Sequence, residues 1–167
     1  KIKGKTLIDI TIDKIREFKE IKKIILVYDE KHKKYFKKIN LKNITLIKGG
    51  ITRSKSTHNA LSCLKNLKRI DKVLIHDAAR PNFSKRLIRN ILINAKKNKV
   101  VVPVLKIQDA LKQKHNKKVV ANLKRNNFFT TQTPQCFNLN EIFQLHKKNK
   151  DKYTDDDFSL ITINDKV

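Results

Sequence analysis

The residues with the most chemical capacity lie in Lys72-Val73-Leu74-Ile75-His76-Asp77-Ala78-Ala79-Arg80-Pro81. A carboxylate and a guanidinium stand just past three consecutive apolar β-formers. A run apolar on both faces predicts a central strand, buried as in a parallel sheet. In open α/β sheets, ligands bind outside the carboxyl ends of such strands. Ala78 and Ala79 have almost no side chain, so a ligand can approach the backbone closely. Asp77 also has a plainer use: capping the following turn and pairing with Arg80. His76 reads as a packed strand-end histidine.

A second group is Gly49-Gly50-Ile51-Thr52-Arg53-Ser54-Lys55-Ser56. Glycines, hydroxyls, an Arg and a helix start are the parts of an anion site. The Gly-Lys-Ser/Thr order of a P-loop is absent. The alternative is an ordinary strand-to-helix loop with Ser56 as cap. Two later groups are Thr131-Gln132-Thr133-Pro134-Gln135-Cys136-Phe137 and Thr154-Asp155-Asp156-Asp157-Phe158-Ser159-Leu160. Three carboxylates at a helix start favour the helix dipole, and they also resemble a cation site. Cys63 and Cys136 have no metal-ligand spacing, and no metal ligands are assigned.

The elements that must position these groups follow from periodicity. Ile8, Ile12, Ile15 and Phe18 predict an amphipathic helix from Leu7 to about Glu20. Strands are expected at Ile24 to Tyr28, Ile44 to Ile47 and Lys99 to Val104. A short helix is expected around Tyr35, Phe36 and Ile39. Ser56 is expected to begin a helix bearing Ala60, Leu61, Leu64 and Leu67. Ser84 should cap one bearing Leu87, Ile88, Ile91, Leu92 and Ala95. Asn138, with Glu141 three residues later, should cap a helix carrying Leu139, Ile142 and Phe143. Alternating strands and helices predict βαβ units, a parallel sheet covered by helices. Val104 to Leu123 holds two β-capable segments around a turn at His115-Asn116.

A chain of 167 residues with 39% hydrophobic residues predicts one globular domain, residues 1–167. No stretch reaches the roughly 20 apolar residues of a membrane span. Two cysteines without a framework fit a cytoplasmic protein. The net charge of +25 would suit a nucleic-acid binder. The lysines are dispersed, however, and accompany many Asn and Ile, as A/T-rich codons would produce. No aromatic-basic motif accompanies them. The chain has no Met and starts at Lys1, which reads as a fragment or excised domain.

Gly-Gly-x-x-Arg-x-x-Ser at 49–56, Val73 to Pro81, Thr-Pro-Gln-x-Phe at 133–137 and the Thr-Asp-Asp segment from Thr154 occur in this order across the chain. Together they resemble the 2-C-methyl-D-erythritol 4-phosphate cytidylyltransferases of the non-mevalonate isoprenoid pathway. The resemblance implies a three-layer α/β fold, nucleotide-diphospho-sugar-transferase-like (Rossmann-like), with a mainly parallel sheet. It implies a protruding β-arm, about residues 105–124, that embraces the second subunit of a homodimer. The implied reaction moves CMP from CTP to methylerythritol phosphate, with Mg²⁺ bound alongside the CTP. Gly50, Ser56, Ala78 and Arg80 would line the nucleotide side. Asp77, Thr133 and Thr154 would line the methylerythritol side, joined by Arg125 from the partner subunit. Asp77 and Arg80 are the implied catalytic residues, and Arg53 is expected to be structural. Ile51, Ala110 and Phe158 depart from the family pattern. The family's Gly-rich triphosphate loop should precede Lys1, and a late Lys should follow Val167. The chain alone is therefore expected to be nearly inactive. A related enzyme acting on another polyol phosphate, such as ribitol phosphate, would share these motifs.

Overall fold

The computed structural model describes residues 4–38, 41–67, 69–149 and 154–164. Helix α1 spans Leu7–Arg16, and Thr6 and Asp9 cap each other's backbone at its start. It ends a turn earlier than the periodicity suggests, because Phe18 turns inward to join Phe83 and Ile88. Strand β1 (Ile24–Tyr28) leads through a 3₁₀ segment, Glu30–Lys38, to β2 (Ile44–Lys48). Ile39, placed in the expected short helix, lies outside the described residues. β1 and β2 pair in parallel, in register Ile24 to Ile44.

Helix α2 spans Arg53–Lys65 and is capped by Thr52, whose hydroxyl accepts from the Lys55 N–H. Ser56 is therefore inside the first turn, not at the cap. The earlier hydroxyl took the capping position because Thr52 is already extended (φ −127°, ψ 165°). Strand β3 (Lys72–Ile75) is followed by α3 (Lys85–Ala95), capped by Ser84 as expected.

The single strand expected at Lys99 to Val104 is two: β4 (Val100–Val101) and β5 (Val104–Lys106). Pro103 separates them, since it has no N–H to give a ladder. Beyond β5, β6 (Leu111–His115) and β7 (Lys118–Leu123) form a hairpin with Asn116 at positive φ in its turn. After a 3₁₀ turn at Arg125–Asn127, β8 (Phe129–Thr131) pairs with β5. Strand β9 (Gln135–Asn138) lies between β3 and β4 and is antiparallel to both, so β3 and β4 run in the same direction. Helices α4 (Leu139–Lys148) and α5 (Ser159–Asn164) complete the order.

The largest core cluster joins Leu61 and Leu64 of α2, Phe137 of β9, Leu139 and Ile142 of α4, and Leu160 of α5. The sheet is thus covered by helices that also hold its functional ends. Among the described residues β1 and β3 share no ladder. Both line one large, mainly apolar cavity of about 1520 Å³, closed by α2 and α3.

Candidate active site

Everything in the site depends on how the chain leaves β3. The Arg80 N–H donates to the Asp77 carbonyl at 3.0 Å, closing a tight turn. Helix α1 clamps that turn from outside. The Thr11 hydroxyl donates to the Ala78 carbonyl at 2.9 Å, and the Lys14 ammonium to the Pro81 carbonyl at 2.7 Å. From the other side the Thr133 hydroxyl meets His76 Nδ1 at 2.9 Å and accepts from the Asp77 N–H at 3.4 Å. The Thr133–Pro134 peptide bond is cis. His76 is packed edge-on against Phe83, 5.1 Å between centroids, and its Nε2 faces the Arg80 carbonyl at 3.1 Å. Burial pushes its pKa below the usual histidine value. It is a structural histidine, as its strand-end position suggests.

The Asp77 carboxylate, about one-third exposed, stands between two guanidiniums. Arg80 Nε lies 3.1 Å from Oδ2 and Arg53 Nε lies 3.9 Å from Oδ1. The plainer reading of Asp77, a turn closed beside an ion pair with Arg80, is therefore realised, and it coexists with a place at the mouth of two cavities. Arg80 also donates to Gln132 Oε1 at 3.1 Å.

The large cavity is bordered at its polar end by Gly49, Gly50, Arg53, Ser56, Asp77 and Ala78. The Gly50 N–H donates to Ser56 Oγ at 3.0 Å, and the Ser56 hydroxyl donates to the Thr52 carbonyl at 2.9 Å. A Cβ on Gly49 would lie 3.0 Å from Ser56 Oγ, tight enough to displace it. Ile51 is fully exposed beside this loop. A smaller cavity of about 290 Å³ is lined by Arg53, Asp77, Arg80, Thr131, Thr133, Gln135, Asp155, Asp156, Phe158 and Ser159.

The carboxylates after Thr154 are used individually. Asp156 caps α5, taking the Ser159 N–H at 2.9 Å and hydroxyl at 2.6 Å, and also accepts from Thr131 Oγ1 at 2.7 Å and Gln135 Nε2 at 2.8 Å. Burial pushes its pKa up, but those hydrogen bonds outweigh burial and hold it below the ordinary value. Asp157 is fully buried. One oxygen takes Arg53 Nη2 at 2.6 Å, and the other takes His146 Nε2 at 2.9 Å. Here too burial raises the pKa, and His146 and the Arg53 charge more than reverse it. Arg53 shifts upward in response, burial being overcome by the Asp157 charge.

Gly50, Ser56, Asp77 and Ala78 are brought together at the large cavity, and Asp77, Arg80 and Thr133 at the small one. Arg80, expected on the nucleotide side, lines the small cavity and not the large one. Thr154 is buried, its hydroxyl has no hydrogen-bond partner among the described residues, and it lines neither cavity; Asp155 lines the small one. Arg125 is exposed, with its guanidinium on the Gln108 carbonyl, and it lines neither cavity of its own chain. Thr11, Lys14 and His146 were not singled out for the site by sequence, and Asp157 was named only within the carboxylate run after Thr154, because residue type alone does not show what each side chain grips. Among the described residues no three His, Cys, Asp or Glu side chains are grouped to hold a metal.

Comparison with known proteins agrees with this geometry. The chain is 44% identical over 154 residues to the bifunctional enzyme IspD/IspF of Pelagibacter ubique, covering 92% of this chain and 41% of that one. It is 39% identical over 163 residues to the 2-C-methyl-D-erythritol 4-phosphate cytidylyltransferase of Thermosipho melanesiensis, covering 93% of this chain and 71% of the relative. The solved structure of 4-diphosphocytidyl-2C-methyl-D-erythritol synthase from Anaerococcus prevotii superposes with a TM-score of 0.85 at 29% identity, over 98% of this chain and 74% of that one. The sequence model of one family matches residues 1–164, and the chain belongs to that family, the 2-C-methyl-D-erythritol 4-phosphate cytidylyltransferases.

Proposed function

We propose that this chain works in transfer of CMP from CTP to 2-C-methyl-D-erythritol 4-phosphate. An oxygen of the acceptor phosphate attacks the α-phosphorus of CTP. A new phosphoanhydride bond forms, the α–β bridge breaks, and pyrophosphate leaves with the electron pair. The observation that carries this reading is the placing of Asp77. It stands at the end of β3, between two guanidiniums, where a large and a small cavity meet.

Such a transfer needs alignment and cations more than covalent help. Gly50, Ser56 and Ala78 border a space wide enough for a nucleotide. The small cavity suits a polyol phosphate, with Asp77 and Thr133 toward its hydroxyls and Arg80 offsetting phosphate charge. A resident Mg²⁺ site does not fit these residues: no ligand cluster is present among those described, and both Asp77 oxygens already face guanidiniums. Mg²⁺ belongs with the CTP phosphates.

Arg125 acts from the partner subunit in this reading, through a homodimer built on the arm. Support comes from the arm's surface: Val119 and Val120 are more than half exposed, and Val104, Leu105, Phe128 and Phe129 are exposed near its base. A cytoplasmic location fits the two free cysteines, and no described helix is long and apolar enough to cross a membrane. Phosphorus NMR of the protein with CTP, Mg²⁺ and methylerythritol phosphate tests the proposal. Shifts of the substrate resonances on binding are expected, followed by slow appearance of paired diphosphate resonances with free pyrophosphate. An unchanged CTP spectrum, with no binding of either substrate, would overturn it.

A further inference from the structure

One buried group of the molecule has no part in the chemistry described so far. His146 and Asp157 are both fully buried, at the far side of Arg53 from the cleft. Asp157 is spoken for on both oxygens, by His146 and by Arg53. His146 is in turn held through its other ring nitrogen by Ser54 Oγ at 3.5 Å. Burying an ionised carboxylate is costly, so such groups persist only when paired and hydrogen-bonded. Simple packing of α2 against α4 and α5 would be served by apolar residues.

Arg53 is what this cluster reaches. Its Nη2 is fixed by Asp157, its Nε faces Asp77, and its Nη1 is buried with no hydrogen-bond partner among the described residues. A donor left unmade means that the guanidinium is placed by its anchor, not by satisfying all its own hydrogen bonds. The two guanidiniums beside Asp77 therefore differ in kind. Arg80 is about half exposed and, among the described residues, its guanidinium is tied to Asp77 and Gln132, so it is able to swing toward a phosphate. Arg53 is pinned from behind.

We infer that His146 and Asp157 are positioning residues, a buried strut that holds Arg53 so that Asp77 stays aimed at the acceptor hydroxyls when Arg80 turns to the phosphate. This rests on the proposed function of the same site. It assigns Arg53 a purpose beyond the structural one its loop suggests. It also couples the Thr-Asp-Asp-Asp segment to the loop after β2, the two borders of the small cavity.

The test is calorimetric titration with the reaction product, 4-diphosphocytidyl-methylerythritol, which on the proposed reading would occupy both cavities. Wild type is compared with His146→Gln, Asp157→Asn, Arg53→Gln and Arg53→Lys. Displacement of an aligning group weakens binding, so Kd should rise about tenfold for the first three, with stoichiometry unchanged. Arg53→Lys keeps the charge and should recover part of the loss. A merely structural role would lower the melting temperature or the bound fraction and leave Kd alone. Unaltered Kd in an Arg53→Gln or Arg53→Lys protein that circular dichroism shows to be folded would overturn the inference while the functional reading survives. Failure of wild type to bind the product would overturn both. Should His146→Gln not fold, the Nε–H proton NMR signal of Arg53 in wild type decides the matter. Slow solvent exchange supports a pinned guanidinium, and rapid exchange contradicts it.

Discussion

Asp77 is the residue on which the account depends. It is partly exposed and its ion pairs are near the surface, so replacing it should alter function more than stability. Asp77→Asn is expected to lower kcat/KM on the order of a hundredfold while costing less than about 1 kcal/mol of stability, as surface pairs do. Steady-state kinetics beside a urea titration would check both. Asp156 and Asp157 behave differently. Their folded pKa values lie below the ordinary carboxylate value. Their contribution is thus complete above about pH 4 and is lost as pH falls through the lower folded values. Melting temperature should be flat at mildly acid pH and fall steeply below about 4, and Asp156→Asn should make that acid fall shallower. Asp77 and Arg80 were legible in the sequence because a buried strand ends just before them. His146 was not, and Asp157 was visible only as one of three carboxylates at a helix start. His146 sits among Lys147 and Lys148 in the last turn of α4 and looks like one more surface cation until α2 and α5 cover it.

Strands and helices were readable wherever periodicity or a cap marked them. Ser84, Asn138 and the α1 stripe predicted their helices, and the arm's two segments predicted a hairpin. Two features escaped. Thr52 and Ser56 are hydroxyls four apart, and only the extended backbone at Thr52 decides which one caps. β9 is a four-residue strand whose antiparallel place between β3 and β4 has no local signature, since it depends on chain crossover. Thr52→Ala should therefore cost about 1 kcal/mol in chemical denaturation, and Ser56→Ala should mainly weaken nucleotide binding. The arm makes a sharper claim. Val119→Lys with Val120→Lys should shift sedimentation from dimer toward monomer without altering the melting of the core, because neither residue is buried in the chain itself.

At the scale of the molecule, α2, α4 and α5 form one support for β9 and the site. Ile142, nearly fully buried in that cluster, should cost about 2–5 kcal/mol when replaced by Ala, measured by denaturant unfolding. Fold class was legible because βαβ spacing and strand-end chemistry agree. The division of the sheet into β1–β2 and β3–β9–β4, with an apolar cavity between, was not, because pairing partners are set in three dimensions. The dispersed positive charge gives general salt-dependent attraction to anions and forms no site by itself. The most direct test of the whole account is pyrophosphate release from CTP and Mg²⁺, with methylerythritol phosphate or ribitol phosphate as acceptor. The protein should turn over methylerythritol phosphate, slowly, and use ribitol phosphate far less well. Equal or better turnover of ribitol phosphate, or none with either acceptor, would contradict the central claim.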